Sequence, residues 1–230
     1  MKKHKFALLT MFAALSLIAA ACAGDEPTDK ASPGAGGDGD PCAADEFGCV
    51  EVAEGDPIQI GTLLVISGEN ASLGQDSQNG AVLAADFRDT PNEIAGHPVE
   101  FNHQDDGCSA EGGQAGATAL AAEPQIVAVI GTSCSSAALG VADTILSDAG
   151  IVIISPSNTG PALTDPATHQ PFYLRTAHND KLQGAAVANF AFNEAGWQTA
   201  STIHDGSPYA DGLQQVFADT FSGLVACGIT

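Results

Sequence analysis

Residues 126–154 read IVAVIGTSCSSAALGVADTILSDAGIVII, and their reading decides the fold. Ile126 to Ile130 is a short apolar run rich in β-branched residues, and Ile151 to Ile154 is another, wholly apolar. Neither alternates polar with apolar, which is how a strand reads when a parallel sheet is covered on both faces. Between them, Ser135 to Asp148 reads as a helix. Strand, helix and strand in that order form a βαβ unit.

Working outward, the pattern repeats. Upstream, Ile58 to Ile66 reads as a buried strand, Leu73 to Arg88 as a helix, Val99 to Gln104 as an alternating strand and Ser109 to Ala122 as an Ala-rich helix. Downstream, Phe172 to Thr176 reads as a strand, Lys181 to Glu194 as a helix, Thr199 to Ile203 as a strand and Tyr209 to Phe221 as a helix, with a further element opening at Leu224. The expected class is α/β: a parallel sheet flanked by helices on both faces. The region from Asn179 is too short to cover a sheet of its own. It either extends the first sheet or opens a second lobe that this sequence truncates, and the ending Gly228-Ile229-Thr230 favours truncation.

Export is written into the start. Lys2, Lys3 and Lys5 precede an apolar run from Phe6 to Ala21, too short for a membrane span and ending in Ala19-Ala20-Ala21 before Cys22. Two readings fit: an ordinary signal cut near Ala21, or a lipoprotein signal with Cys22 as the acylated residue. The latter resembles the bacterial lipobox, with Ala19 where Leu is usual. From Ala23 to about Pro41 the chain is Gly, Asp, Ser, Pro and Ala, a composition that cannot offset its ordering entropy and suits a tether. The expected organisation is therefore a signal at 1–21, a tether at 22–56, a first lobe at 57–178 and the start of a second at 179–230.

Charge narrows the partners. The chain carries 28 acidic against 7 basic residues, a formal charge of −21, and loss of the signal removes three lysines and no acid. Nucleic acid and anionic membrane faces are poor partners for such a surface. Six cysteines in an exported chain point to disulfides. With Cys22 assigned to lipid, Cys42 and Cys49 flank a short loop before the first strand and are expected to bond each other, and Cys108 and Cys134, each following a predicted strand, form the other candidate pair; Cys227 is left over. Buried free thiols are the plainer alternative for each pair. The Cys and His spacings match no zinc pattern, and His103 with Asp105 and Asp106 reads better as a solvated loop than as a metal site.

Ligands of open parallel sheets bind beyond the carboxyl ends of the strands. The loops expected there are Ser67 to Gly74, Gly131 to Ser136 and Ser155 to Pro161, all small and rich in hydroxyls. None carries a general base, a metal cluster or a nucleophile with its partner, and no G-x-S-x-G elbow is present. Such loops suit a carboxylate that is held and not transformed.

Four segments in order give a family resemblance: Ile60-Gly61 through Ser67-Gly68 with Gly74 and Asn79-Gly80-Ala81; Asp105-Asp106-Gly107-Cys108 with Gly131 to Ser136; Ile154-Ser155-Pro156 with Thr159, Pro161, Leu163 and Thr164; and His204-Asp205 with Tyr209, Asp211 and Gly212. The chain resembles the leucine/isoleucine/valine-type periplasmic binding proteins, receptors of branched-chain amino-acid ABC transporters. The resemblance implies a type 1 two-lobed fold with the second lobe incomplete here. It also implies a Cys108–Cys134 disulfide, a small amino-acid-like ligand, a membrane permease as partner, no cofactor and no catalysis.

Residue by residue, it implies that Ser135 and Thr159 bond the ligand carboxylate and ammonium, that Ser157 contributes a carbonyl, and that Tyr209 closes over the ligand. Leu73 stands where the family has a large aromatic wall residue, and the family's acidic partner for the ammonium lies in second-lobe sequence not present. Plainer roles also suit these residues: a helix cap for Ser135, a turn for the Ser155-Pro156 loop with Thr159, and simple packing for Tyr209 and Leu73. The expected location is outside the cytoplasmic membrane, lipid-anchored or periplasmic. A sensing module of the same fold is the alternative, and an exported hydrolase lacks an assembled catalytic group.

Overall fold

The structure is a computed structural model that describes residues 49–87 and 92–228. The expected signal, the proposed lipid site Cys22, most of the expected tether and Cys42 lie outside the described residues, and with Cys42 the proposed Cys42–Cys49 bond. Residues 49–57 form no helix or strand.

Six strands form one sheet in the order β2-β3-β1-β4-β5-β6. They are β1 (Ile58–Leu64), β2 (Glu93–Ile94), β3 (His97–Asp105), β4 (Ile126–Gly131), β5 (Val152–Ser155) and β6 (Tyr173–Arg175). All pairings are parallel except β2 with β3, a two-residue antiparallel edge that the sequence pattern did not announce. The helices are α1 (Ala71–Asp86), α2 (Ala110–Ala121), α3 (Ser135–Ala137), α4 (Asp143–Asp148), α5 (Asp180–Asn189) and α6 (Pro208–Gly228). A π-helical stretch, Ala138–Ala142, joins α3 to α4, so the helix expected over 135–148 is one rod with a wide turn in its middle. Ser109 caps α2 by accepting the Gly112 N–H, and Asn179 caps α5 by accepting the Lys181 N–H.

The chain leaves β1 toward β3 on one side, then crosses back over β1 to β4. Right-handed crossovers in opposite directions put α1 and α2 on opposite faces. The main core lies on the α2–α4 face, where Leu63, Leu120, Val129, Leu146, Ile153 and Tyr173 are each at most 1% exposed. The other face is covered less than the sequence reading expected. Among the described residues only α1 lies there, and Val127, Ile154 and Leu174 stand 36, 37 and 50% exposed.

α1 is held lightly, with Gly74 and Ala85 its buried residues. A Cβ at Gly74 would overlap the Val65 carbonyl oxygen just past β1, so only glycine lets the helix approach that closely. Gly74→Ala is expected to swing the first turns of α1 outward and to cost about 2 kcal/mol. Urea denaturation checks it, and an unchanged midpoint would show that the contact is not needed.

Two expectations for the last fifty residues fail. Thr199 to Ile203 forms no strand: no neighbouring strand is offered to it among the described residues, and Ile203 is 99% exposed. A β-branched run without a hydrogen-bonded neighbour has nothing to hold it extended. No new element opens at Leu224 either, since α6 runs through to Gly228. A second small core joins α5, the following π-helical turn Phe190–Glu194 and α6 through Ala188, Ala191 and Phe221, with Phe192, Phe217 and Val225 against them.

Candidate functional site

Strand order reverses between β1 and β4, and the loops that leave these two strands diverge there, opening a crevice at the sheet's carboxyl rim. Asp106 organises this rim. Its carboxylate is wholly buried and accepts the N–H groups of Cys108 and Ser133, each at 2.7 Å. Burial pushes its pKa up, against the pull of those N–H donors. Asp105 beside it accepts the N–H groups of Ile66 at 3.0 Å and Gly107 at 2.9 Å. The two acids read as a solvated loop in the sequence are thus structural, and Asp106 carries no solvent at all. Across the crevice the Ser133 hydroxyl accepts the Val65 N–H at 3.0 Å, tying the end of β4 to the end of β1.

The Cys108–Cys134 disulfide is formed, with Cα atoms 5.1 Å apart. It joins the loops after β3 and β4, two strands separated by β1. The Ser136 hydroxyl adds a bond to the Cys108 carbonyl at 3.0 Å. Cys227 is exposed on α6.

The loop after β5 is fastened to the loop after β4. Ser155 donates to the Thr132 carbonyl and Ser157 to the Ser133 carbonyl, each at 2.7 Å. The Asn158 amide donates to the Thr132 hydroxyl at 2.8 Å. Arg175 on β6 braces the far side through the carbonyls of Asn158 and Gly160, at 3.3 and 3.0 Å. The Ser135 hydroxyl, 3% exposed, accepts the Gly160 N–H at 3.1 Å. Ser135 is not a helix cap: Cys134 holds the position before α3. A hydroxyl has one proton and two lone pairs, so this acceptor bond leaves the Ser135 proton to donate elsewhere.

These loops form one wall of a cavity of about 590 Å³. All five residues singled out from the sequence, Leu73, Ser135, Ser157, Thr159 and Tyr209, line it. They arrive from four separate segments: α1, the start of α3, the loop after β5, and α6. Leu73 and Tyr209 present apolar surface at 44 and 40% exposure. The lining also includes Asn70, from the expected loop after β1, and His178, Gln183, Asp205 and Ser207, which the sequence reading did not place there. His204-Asp205 was legible as a polar pair, but only Asp205 lines this hollow, and its arrival there depends on the course of residues 195–207, which has no periodicity. Asp205 accepts the Ser207 N–H at 2.8 Å, and His204 accepts the Gly206 N–H at 3.3 Å, so the pair shapes a turn. Among the described residues no group of three or more His, Cys, Asp or Glu is placed to hold a metal ion, and no helix is long and apolar enough to cross a membrane.

Hydroxyls, amides and one carboxylate around an apolar wall can orient a small polar solute. The comparisons agree with that chemistry. The chain is 30% identical to the Leu/Ile/Val-binding protein of Escherichia coli over 178 residues, 77% of this chain and 47% of that protein. A solved structure of the branched-chain amino acid transporter substrate binding protein LivJ from Streptococcus pneumoniae, in complex with isoleucine, superposes with a TM-score of 0.63 at 26% identity. It covers 72% of this chain and 47% of the other. An ABC transporter substrate-binding protein from Desulfitobacterium hafniense, in complex with Leu, gives a TM-score of 0.61 at 27% identity, over 74% and 48% of the two chains. The chain spans about half the length of these relatives. The family model described as periplasmic binding protein matches residues 57–224, from the first strand through most of α6, and by that match the chain belongs to the periplasmic binding protein family.

Proposed function

We propose that this protein is the extracytoplasmic solute-binding receptor of an ABC importer, and that it captures an amino acid or a related small zwitterion without transforming it. The observation that carries the reading is the shared cavity: residues from four segments distant in sequence bring hydroxyls and an apolar wall to one hollow at the sheet rim. The Ser135 hydroxyl, fixed by Gly160, donates to the ligand carboxylate; Thr159 and the Ser157 carbonyl serve its nitrogen; Leu73 and Tyr209 cover its side chain. Residues 57–178 act as a first lobe, and 179–230 begin a second, in keeping with the separate core around Phe221. The ligand gains contacts from both sides only when they close, so it shifts the population toward the closed form that a permease recognises. Cys22 anchors the receptor outside the membrane and keeps it near that permease.

Thermal-shift screening of the full chain against the amino acids, short amides and urea tests the proposal. A true ligand at 100 times its Kd adds about 2.7 kcal/mol of stability. Ser135→Ala removes the donor and is expected to weaken that ligand about tenfold by calorimetry. No shift with any zwitterion would remove the ligand class, and an unweakened Ser135→Ala protein would remove Ser135 from the site.

A further inference from the structure

We propose that Phe47 seats its ring in a hollow at the amino-terminal rim of the sheet. It thereby clips the segment leading into β1 to the end of the sheet opposite the cavity described above.

This second hollow has a volume of about 410 Å³ and lies where β4 and β5 begin. Ala121 at the end of α2, Pro124, Ile126 at the start of β4 and Ile151 just before β5 all line it. Val127 joins them and is 36% exposed, an apolar side chain with one side left open. Glu123 is the one charged side chain in the described lining.

Cys49 and Val50 line the same hollow, so the described chain starts at its mouth. Cys49 is disulfide-bonded, and Cys42 is the partner expected from the sequence. Phe47 stands two residues before Cys49, which keeps the two Cα atoms within about 7 Å of each other. Reach alone admits any residue of the loop, and chemistry selects among them. Between Ala23 and Cys49, Phe47 is the only aromatic residue, and Val, Ile, Leu and Met are all missing. Asp45 and Glu46 could enter only by shedding water beside Ile126 and Val127, with Glu123 repelling them. Ala43 and Ala44 have little surface to bury. A phenylalanine ring buries about 150–250 Å², and seating it takes both the ring and the open side of Val127 out of water. A loop already closed by a disulfide loses less freedom when the ring docks.

A double-mutant cycle on the full chain tests the clip. Phe47→Ala and Val127→Ala are each expected to lower the melting temperature by about 4 °C. The double variant should fall by clearly less than the two losses added together, because the side chains share one contact. In methyl-labelled protein, the Val127 methyl signals should show nuclear Overhauser contacts to the Phe47 ring and should shift in Phe47→Ala. Strict additivity in the cycle, or Val127 methyl signals that Phe47→Ala leaves in place, overturns the proposal. A coupling that grows with protein concentration, with dimers seen by light scattering, gives the seat to Phe47 of a second copy and overturns the clip within one chain.

Discussion

Replacing Cys108 and Cys134 by alanine is expected to lower the unfolding free energy by about 3.5 kcal/mol, on the chain-entropy estimate for a loop of this length. The two cysteines are 26 positions apart, and the loop they close contains α2 and β4. Without the bond the unfolded chain recovers that loop's freedom. The native state also loses a covalent tie across β1, between the loops after β3 and β4. Cys108, Cys134 and Ser135 all line the cavity, so weaker ligand binding should accompany the lost stability. Guanidinium denaturation of the double variant, with calorimetry on any ligand found by screening, measures both effects. A stability loss below about 1 kcal/mol would show that packing around α2 already holds these loops.

The second large effect is expected at Asp106. Asp106→Asn keeps the shape but turns an amide N–H₂ toward one of the two N–H donors, Cys108 or Ser133, that the carboxylate now satisfies. A buried donor facing a donor costs about 2 kcal/mol. The Cys108 backbone adds to this. It lies at φ +53°, a region L residues avoid, and the Asp106 bond helps hold it there.

The pH dependence has a definite sign. Burial raises the pKa of Asp106 in the folded state. Its contribution to stability is therefore fully present below the ordinary Asp value and is lost as pH rises through the raised one. Asparagine does not titrate. The deficit of Asp106→Asn should be widest below the ordinary Asp value and should narrow as pH rises through the raised one. Denaturation midpoints of both proteins across pH 4 to 7 check this, and a deficit that widens with pH would contradict it.

Much of this molecule was legible because its signals are local. The apolar runs at 126–130 and 151–154 became β4 and β5, and the Ala-rich stretch after Ser109 became α2 with that serine as its cap. A two-residue edge strand such as β2 leaves no periodicity to read. The run at 199–203 has strand composition but depends on a partner, and composition does not supply one. Asp106 looked like loop because two adjacent acids usually face water. Its burial follows from the convergence of the loops after β3 and β4 upon one point.

By itself, then, the sequence determined the α/β class, the order of the main elements and a set of hydroxyl-rich loops at strand ends, since side-chain pattern and capping chemistry act over a few residues. Only the tertiary structure decided that Leu73, Ser135, Ser157, Thr159 and Tyr209 share one hollow and that Asp205 stands among them. That outcome depends on crossover direction and strand order, which bring together residues more than a hundred positions apart, and no local pattern encodes such distances.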